Sequence, residues 1–115
     1  MPGKGEPGEA IAASFLEENG IKILQRNFRS RTGEIDIIAL DGETIVFIEV
    51  KSYSSLGIES LEYAVDAKKQ RKIIETSKYF LSFHREYKYM AIRYDVIFIS
   101  PDGINHLASA FTEGV

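Results

Sequence analysis

Asp36 is followed thirteen residues later by Glu49-Val50-Lys51, and both carboxylates interrupt segments that are otherwise almost wholly apolar, Ile35 to Leu40 and Ile45 to Val50. Side chains alternate along a strand, so Val46, Ile48 and Val50 line one face while Ile45, Phe47, Glu49 and Lys51 line the other. Both faces are apolar up to Glu49, the pattern of a sheet covered by a layer on each side. A charge buried there costs several kcal/mol unless it is paired. Two carboxylates and a lysine at one end of such a strand pair therefore suit a hard divalent cation held through oxygen. The alternative is a structural salt bridge among Asp36, Glu49 and Lys51.

The elements around these residues decide whether they meet. Asp41-Gly42 between the two segments signals a two-residue hairpin. With those two as the loop, Leu40 faces Glu43, Asp36 faces Phe47, and Glu49 is the diagonal neighbour of Asp36 at about 7 to 8 Å. Glu34 then faces Glu49 directly, an unfavourable pair unless an ion or a base compensates. A slip of one residue would send Asp36 and Glu49 to opposite faces. Upstream, Ile11, Ala12, Phe15 and Leu16 fall at helical spacing between Glu9 and Asn19, Gly20 is placed to end that helix, and Ile21 to Phe28 reads as a strand. Downstream, a loop containing Ser and Gly near 52 to 60 leads to a basic amphipathic helix that runs to about His84 with a break near Asp66. Its inward stripe is Ile73, Ile74, Ser77, Phe80 and Leu81. Tyr89 to Ser100 reads as a strand, Pro101-Asp102-Gly103 as a turn, and Ile104 to about Ala108 as a short last strand. A meander followed by a right-handed helical crossover brings Tyr89 to Ser100 parallel to Thr44 to Ser52. The expected architecture is a three-layer α/β/α domain on a mixed five-stranded sheet, with 1–7 a flexible N-terminal lead-in and 8–115 a single domain.

Composition sets the outer limits. A chain of 115 residues with 44% hydrophobic side chains has room for one core and one site. The absence of cysteine excludes disulfides, zinc fingers, iron–sulfur clusters and thiol nucleophiles, and fits a reducing, cytoplasmic setting. No segment reads as a signal peptide or a membrane span. The net charge of -3 hides a segregation, because eight cations and only three acids lie between Asp66 and Arg93. Such a cluster can follow a phosphate backbone even on an acidic protein, although a solvated helix face explains charge alone. Lys69 and Arg71 are the candidate nucleic-acid contacts; Arg93 and Asp95 share a strand face and read as a structural pair. His84 and His106 have no partner at metal-ligand spacing and read as packing or surface residues. The tyrosines at 79, 87, 89 and 94 read as core and rim rather than as stacking platforms for bases.

The combination of Gly8-Glu9, Arg26-Asn27, Gly33-Glu34-Ile35-Asp36, Phe47-Ile48-Glu49-Val50-Lys51, Lys69-Gln70-Arg71 and Arg93-Tyr94-Asp95-Val96 resembles the YraN-like uncharacterised protein family 0102. The likeness spans nearly all of Gly8 to Thr112. Asp36 with Glu49-Val50-Lys51 also resembles the signature of the PD-(D/E)xK nuclease superfamily, whose restriction-endonuclease-like members include the archaeal Holliday junction resolvases. That resemblance implies a metal-dependent endonuclease hydrolysing phosphodiester bonds in DNA, branched DNA such as a Holliday junction included. By the same likeness Asp36, Glu49 and the Val50 carbonyl would ligate Mg2+ or Mn2+, Lys51 would orient the attacking water, and Glu9 would add an outer carboxylate. A homodimer is the assembly it allows, because cutting two strands needs two sites. Tyr53 stands where the family usually has an arginine, which leaves one phosphate contact without its residue. The rival reading is a non-catalytic nucleic-acid-binding or protein-interaction module that retains the fold.

Overall fold

The strand carrying Glu49 is the middle strand of a five-stranded sheet in the computed structural model, which describes residues 6–52 and 65–113. The elements run α1 (Glu6–Glu18), β1 (Lys22–Ser30), β2 (Gly33–Asp41), β3 (Thr44–Ser52), α2 (Ala67–Phe83), a 3-10 turn (Arg85–Tyr87), β4 (Ala91–Ser100) and β5 (Gly103–Phe111). Spatial order follows chain order, and β3 and β4 are parallel while the other neighbours are antiparallel. The mixed five-stranded sheet and its parallel central pair match the expectation.

Each face of the sheet is covered by one helix because the inner strands β2, β3 and β4 are apolar on both sides. Ala12, Ala13 and Leu16 of α1 pack with Ile37, Ala39, Val46, Ile48, Ile97 and Ile99. Ile73, Ile74 and Phe80 of α2 pack with Ile35, Ile38, Ile45, Phe47, Tyr94, Val96 and Phe98 on the other side. The result is the three-layer α/β/α arrangement.

Several boundaries differ from the sequence-based expectation. Helix α1 starts at Glu6 rather than near Gly8; Pro7, which has no N–H to leave unbonded, is tolerated in a first turn. Asp66 is the N-cap of α2, its carboxylate accepting the Lys69 N–H at 2.9 Å, so the expected break is the helix start itself. β4 begins at Ala91 instead of Tyr89 because the chain is still turning after the 3-10 segment, the Met90 N–H donating to the Tyr87 carbonyl at 3.1 Å. β5 extends to Phe111 because a bulge opposite Asp95, with Ser109 at φ 54°, restores pairing between Tyr94 and Phe111. The loop expected beyond Ser52, Tyr53 included, and residues 1–5 of the lead-in lie outside the described residues.

The hairpin register is a correction. Asp41 pairs with Thr44, so the loop is Gly42-Glu43 and not Asp41-Gly42. Gly42 takes φ 61°, the positive value that a type II′ turn requires at its first loop position. Asp41 is kept in the strand by Arg93, whose Nη1 lies 2.9 Å from its carboxylate. The shift is two residues, so the parity of the faces survives.

Candidate active site

The β2–β3 ladder runs from Asp41/Thr44 to Ile37/Ile48 and stops there. Continued by one position, it would set Asp36 directly opposite Glu49 rather than diagonal to it. Two apposed carboxylates are a poor cross-strand pair, and the strands diverge at this point. Ile35 and Ile38 both enter the core under α2 while Ile37 and Ala39 enter the core under α1, so regular alternation fails at Asp36. The Asp36 side chain takes over the lost backbone bond, its Oδ2 accepting the Val50 N–H at 2.8 Å. On the other side, Asn27 of β1 has φ 57°, a left-handed conformation that asparagine tolerates better than most residues.

The remaining site residues converge on this fork from both faces. Glu49 and Lys51 project toward α2, as Ile45 and Phe47 do, and Glu49 Oε2 lies 3.3 Å from Lys51 Nζ and 2.9 Å from Lys69 Nζ. Glu9 comes from the first turns of α1, seated by Gly8, where an added Cβ would collide with the Ser52 hydroxyl at the end of β3. Its Oε1 is 3.8 Å from Arg26 Nη2, too long for a hydrogen bond, and both Glu9 Oε1 and Arg26 Nε are buried without a partner. Glu34, expected opposite Glu49, instead forms an ion pair with Arg29 at 3.3 Å.

Glu9, Asp36 and Glu49 are only 3%, 7% and 6% exposed, so three acids share a poorly solvated space. Burial, then the Glu49 charge, push Asp36 up to about 7 despite the Val50 N–H, with Glu9 and Glu34 acting in the same direction. Burial also raises Glu9, against the pull of Arg26. Lys69 is raised above its ordinary value: burial opposes its charge, but bonding to Glu49 outweighs it.

These donors fit a hard cation. Among the described residues no group of three or more His, Cys, Asp or Glu side chains is placed to hold a metal ion, so an ion beside Asp36 and Glu49 would need main-chain, water or phosphate oxygen to complete its shell. That is the habit of Mg2+, which keeps several waters and takes one or two carboxylates. The unpartnered Glu9 oxygen and the raised Asp36 both mark carboxylates that are poorly solvated at the fork.

Related chains match this sequence along most of its length. The model of uncharacterised protein family UPF0102 matches residues 8–99, from the glycine that seats α1 through β4. The chain belongs to uncharacterised protein family UPF0102. A UPF0102 protein of Persephonella marina is 47% identical over 108 residues, covering 94% of this chain and 92% of the relative. Those of Treponema pallidum strain Nichols and Geobacter metallireducens are each 44% identical, covering 95% and 93% of this chain and 92% and 90% of the relatives.

Other expectations resolve as follows in this UPF0102 chain. Arg71 is exposed and, among the described residues, free of ion pairs, whereas Lys69 turns inward to Glu49. Arg93 and Asp95 do form a structural pair, with Arg93 Nε and Nη2 each 3.0 Å from the carboxylate. His106 belongs to that network, its Nε2 lying 2.7 Å from Asp95 Oδ2, while the Ser109 N–H donates to Oδ1 at 2.9 Å. His84 stacks on Phe80. Tyr94 is core, bonded to Ser77 at 2.7 Å, and Tyr79 packs between Phe28 and Phe83 at the rim. Sequence reasoning gave no role to Arg26 and Asn27 beyond the family likeness; alternation along β1 places Arg26 beside the strand carrying Asp36, which was the available signal.

Proposed function

We propose that this protein is a metal-dependent phosphodiesterase acting as an endonuclease on DNA, with branched DNA among its substrates. The observation that carries this reading is the buried convergence of Glu9, Asp36 and Glu49, beside Lys51, where β2 and β3 part. When bound, Mg2+ or Mn2+ activates water and neutralises charge at the scissile phosphate. Asp36 and Glu49 would hold the ion with the Val50 main-chain carbonyl, and Glu9 would accept from its hydration shell. Lys51, held by Glu49, would position the attacking water and offset charge developing on the phosphate oxygens. The Val50 N–H fixes the Asp36 rotamer, so one of the two gripping carboxylates is already aimed. The rival, a non-catalytic module, draws support from the two ammonium groups on Glu49, which neutralise that carboxylate without any ion.

Calorimetric titration of Mn2+ into wild type and Asp36→Asn, each with a cleavage-resistant four-way DNA junction, tests the reading. Binding to wild type that is lost in the variant is the expected result. No binding to wild type would shift the weight to the non-catalytic module, with the acidic cluster a structural one.

A further inference from the structure

We propose that the groove between the β1–β2 turn and the first half of α2 seats a nucleic-acid phosphate backbone. This rests on the phosphodiesterase reading and adds where the polymer lies. The groove encloses about 970 Å³ and is bordered by Arg31 on the turn and by Lys68, Arg71 and Lys72 on α2. All four are exposed, and none has an ion-pair partner among the described residues. In contrast Arg26, Arg29, Lys51, Lys69, Lys78 and Arg93 each face a carboxylate. Of the seven Lys and Arg without an ion pair among the described residues, these four border one groove, while Lys22, Arg85 and Lys88 lie elsewhere. Lys68 is three and four residues from Arg71 and Lys72, so these like charges are neighbours on the helix and repel, a cost that a polyanion relieves. Two acids also line the groove, Glu75 and Glu113, and Lys78 pairs with Glu113.

The groove is built, not incidental. Thr32 Oγ1 and Thr76 Oγ1 are 2.8 Å apart, and Thr76 also donates to the Lys72 carbonyl at 2.8 Å, which pins the turn carrying Arg31 to the helix carrying Lys72. Gly33, at φ 151°, is the residue that lets the chain come so close: an added Cβ would sit 3.4 Å from Thr76 Oγ1 in a backbone conformation that side chains rarely adopt. The groove also adjoins a second hollow, with which it shares Lys68 and Lys72. That hollow encloses about 390 Å³ and is lined by Glu49 and Lys69 as well. A phosphate chain lying against Arg31, Arg71, Lys72 and Lys68 is thereby led toward Glu49. Lys69 is set apart from this track because its ammonium is committed to Glu49. An acidic protein segment would meet the same charges, but it carries no phosphodiester bond, the one the proposed reaction cleaves.

Fluorescence anisotropy with a labelled four-way DNA junction, in EDTA at 25 to 200 mM salt, reads this groove without any metal. For wild type, affinity should fall with salt at a log–log slope of about -3.6, near -0.9 for each of the four phosphate contacts. Lys68→Glu combined with Lys72→Glu should weaken binding by roughly 30-fold or more, and Arg31→Ala and Arg71→Ala should each reduce the slope by about 1. Lys22→Glu and Arg85→Glu, exposed cations outside the groove, should bind as wild type does. Circular dichroism confirms that each variant folds. Groove variants that bind like wild type, a wild type displaced equally well by polyglutamate, or no binding at the lowest salt would each overturn the proposal. All three leave the cluster to be judged by the Mn2+ titration, so the two readings fail separately.

Discussion

Asp36 and Asp95 are both buried in the same sheet and are shifted in opposite directions. Asp36 accepts from the Val50 N–H but has three acidic neighbours, Glu49, Glu9 and Glu34, and it is pushed up to about 7 by burial and then by Glu49. Asp95 is fully buried, which by itself would raise it, but His106, Arg93 and the Ser109 N–H together hold it below the ordinary aspartate value. The signs for stability follow. Between about pH 4 and pH 7 the folded chain keeps the Asp36 proton while the unfolded chain loses it, so stability declines as pH rises through that window. Asp95 does the reverse: its contribution is present above the unfolded value and is lost as pH falls through the lower folded one. Asp36→Asn, which can still accept from Val50, is expected to stabilise the protein at pH 8 in EDTA, on the order of 2 to 4 kcal/mol, with the gain vanishing toward pH 4. Asp95→Asn is expected to destabilise by about 3 to 5 kcal/mol at pH 7, because it leaves Arg93 without its buried partner. Urea unfolding at several pH values checks both, and a destabilised Asp36→Asn at pH 8 would remove the case for a strained carboxylate.

At the scale of elements, what the sequence made legible was parity and order, and what it hid was the fork. Alternation along β2 and β3 put Asp36 and Glu49 on one face, and the two-residue register shift keeps that parity through the ladder from Asp41 to Ile37, but alternation fails at Asp36 itself, where the strands part. The hairpin loop was misplaced because Asp41-Gly42 is the stronger local signal, and only the tertiary contact with Arg93 keeps Asp41 in the strand. The divergence beyond Ile37 and Ile48, the left-handed Asn27 and the inward turn of Lys69 depend on contacts between elements, which no local pattern encodes. The start of α2 was half legible, since Asp66 marked an interruption that proves to be a cap. That cap fixes the helix turn carrying Lys69 and Lys72. Asp66→Ala should cost about 1 kcal/mol and Asp66→Asn much less, as measured by chemical denaturation. Hydrogen exchange should speed up in the first turn of α2 in the alanine variant alone; equal protection in both variants would mean that packing, not the cap, sets the helix start.

At the scale of the whole molecule, the cluster ties all three layers together: Glu9 from α1, Asp36 and Glu49 from the sheet, and Lys69 from α2. No fragment contains it, and unfolding scatters it, so an ion that binds there is linked to the global folding equilibrium rather than to a local loop. A ligand at one hundred times its Kd adds about 2.7 kcal/mol to the stability of the form that binds it. For a domain of this size that corresponds to a rise in Tm of roughly 10 °C. The rise must also depend on pH, because the ion and the proton compete for Asp36, which holds its proton up to about 7. Saturating Mn2+ should therefore raise Tm substantially at pH 8, much less at pH 5.5, and not at all in Asp36→Asn at either pH. Differential scanning calorimetry reads this without a substrate. An equal rise in the variant would mean that the ion binds elsewhere on this acidic chain, and the fork would then be a site of stored electrostatic strain with no cation to relieve it.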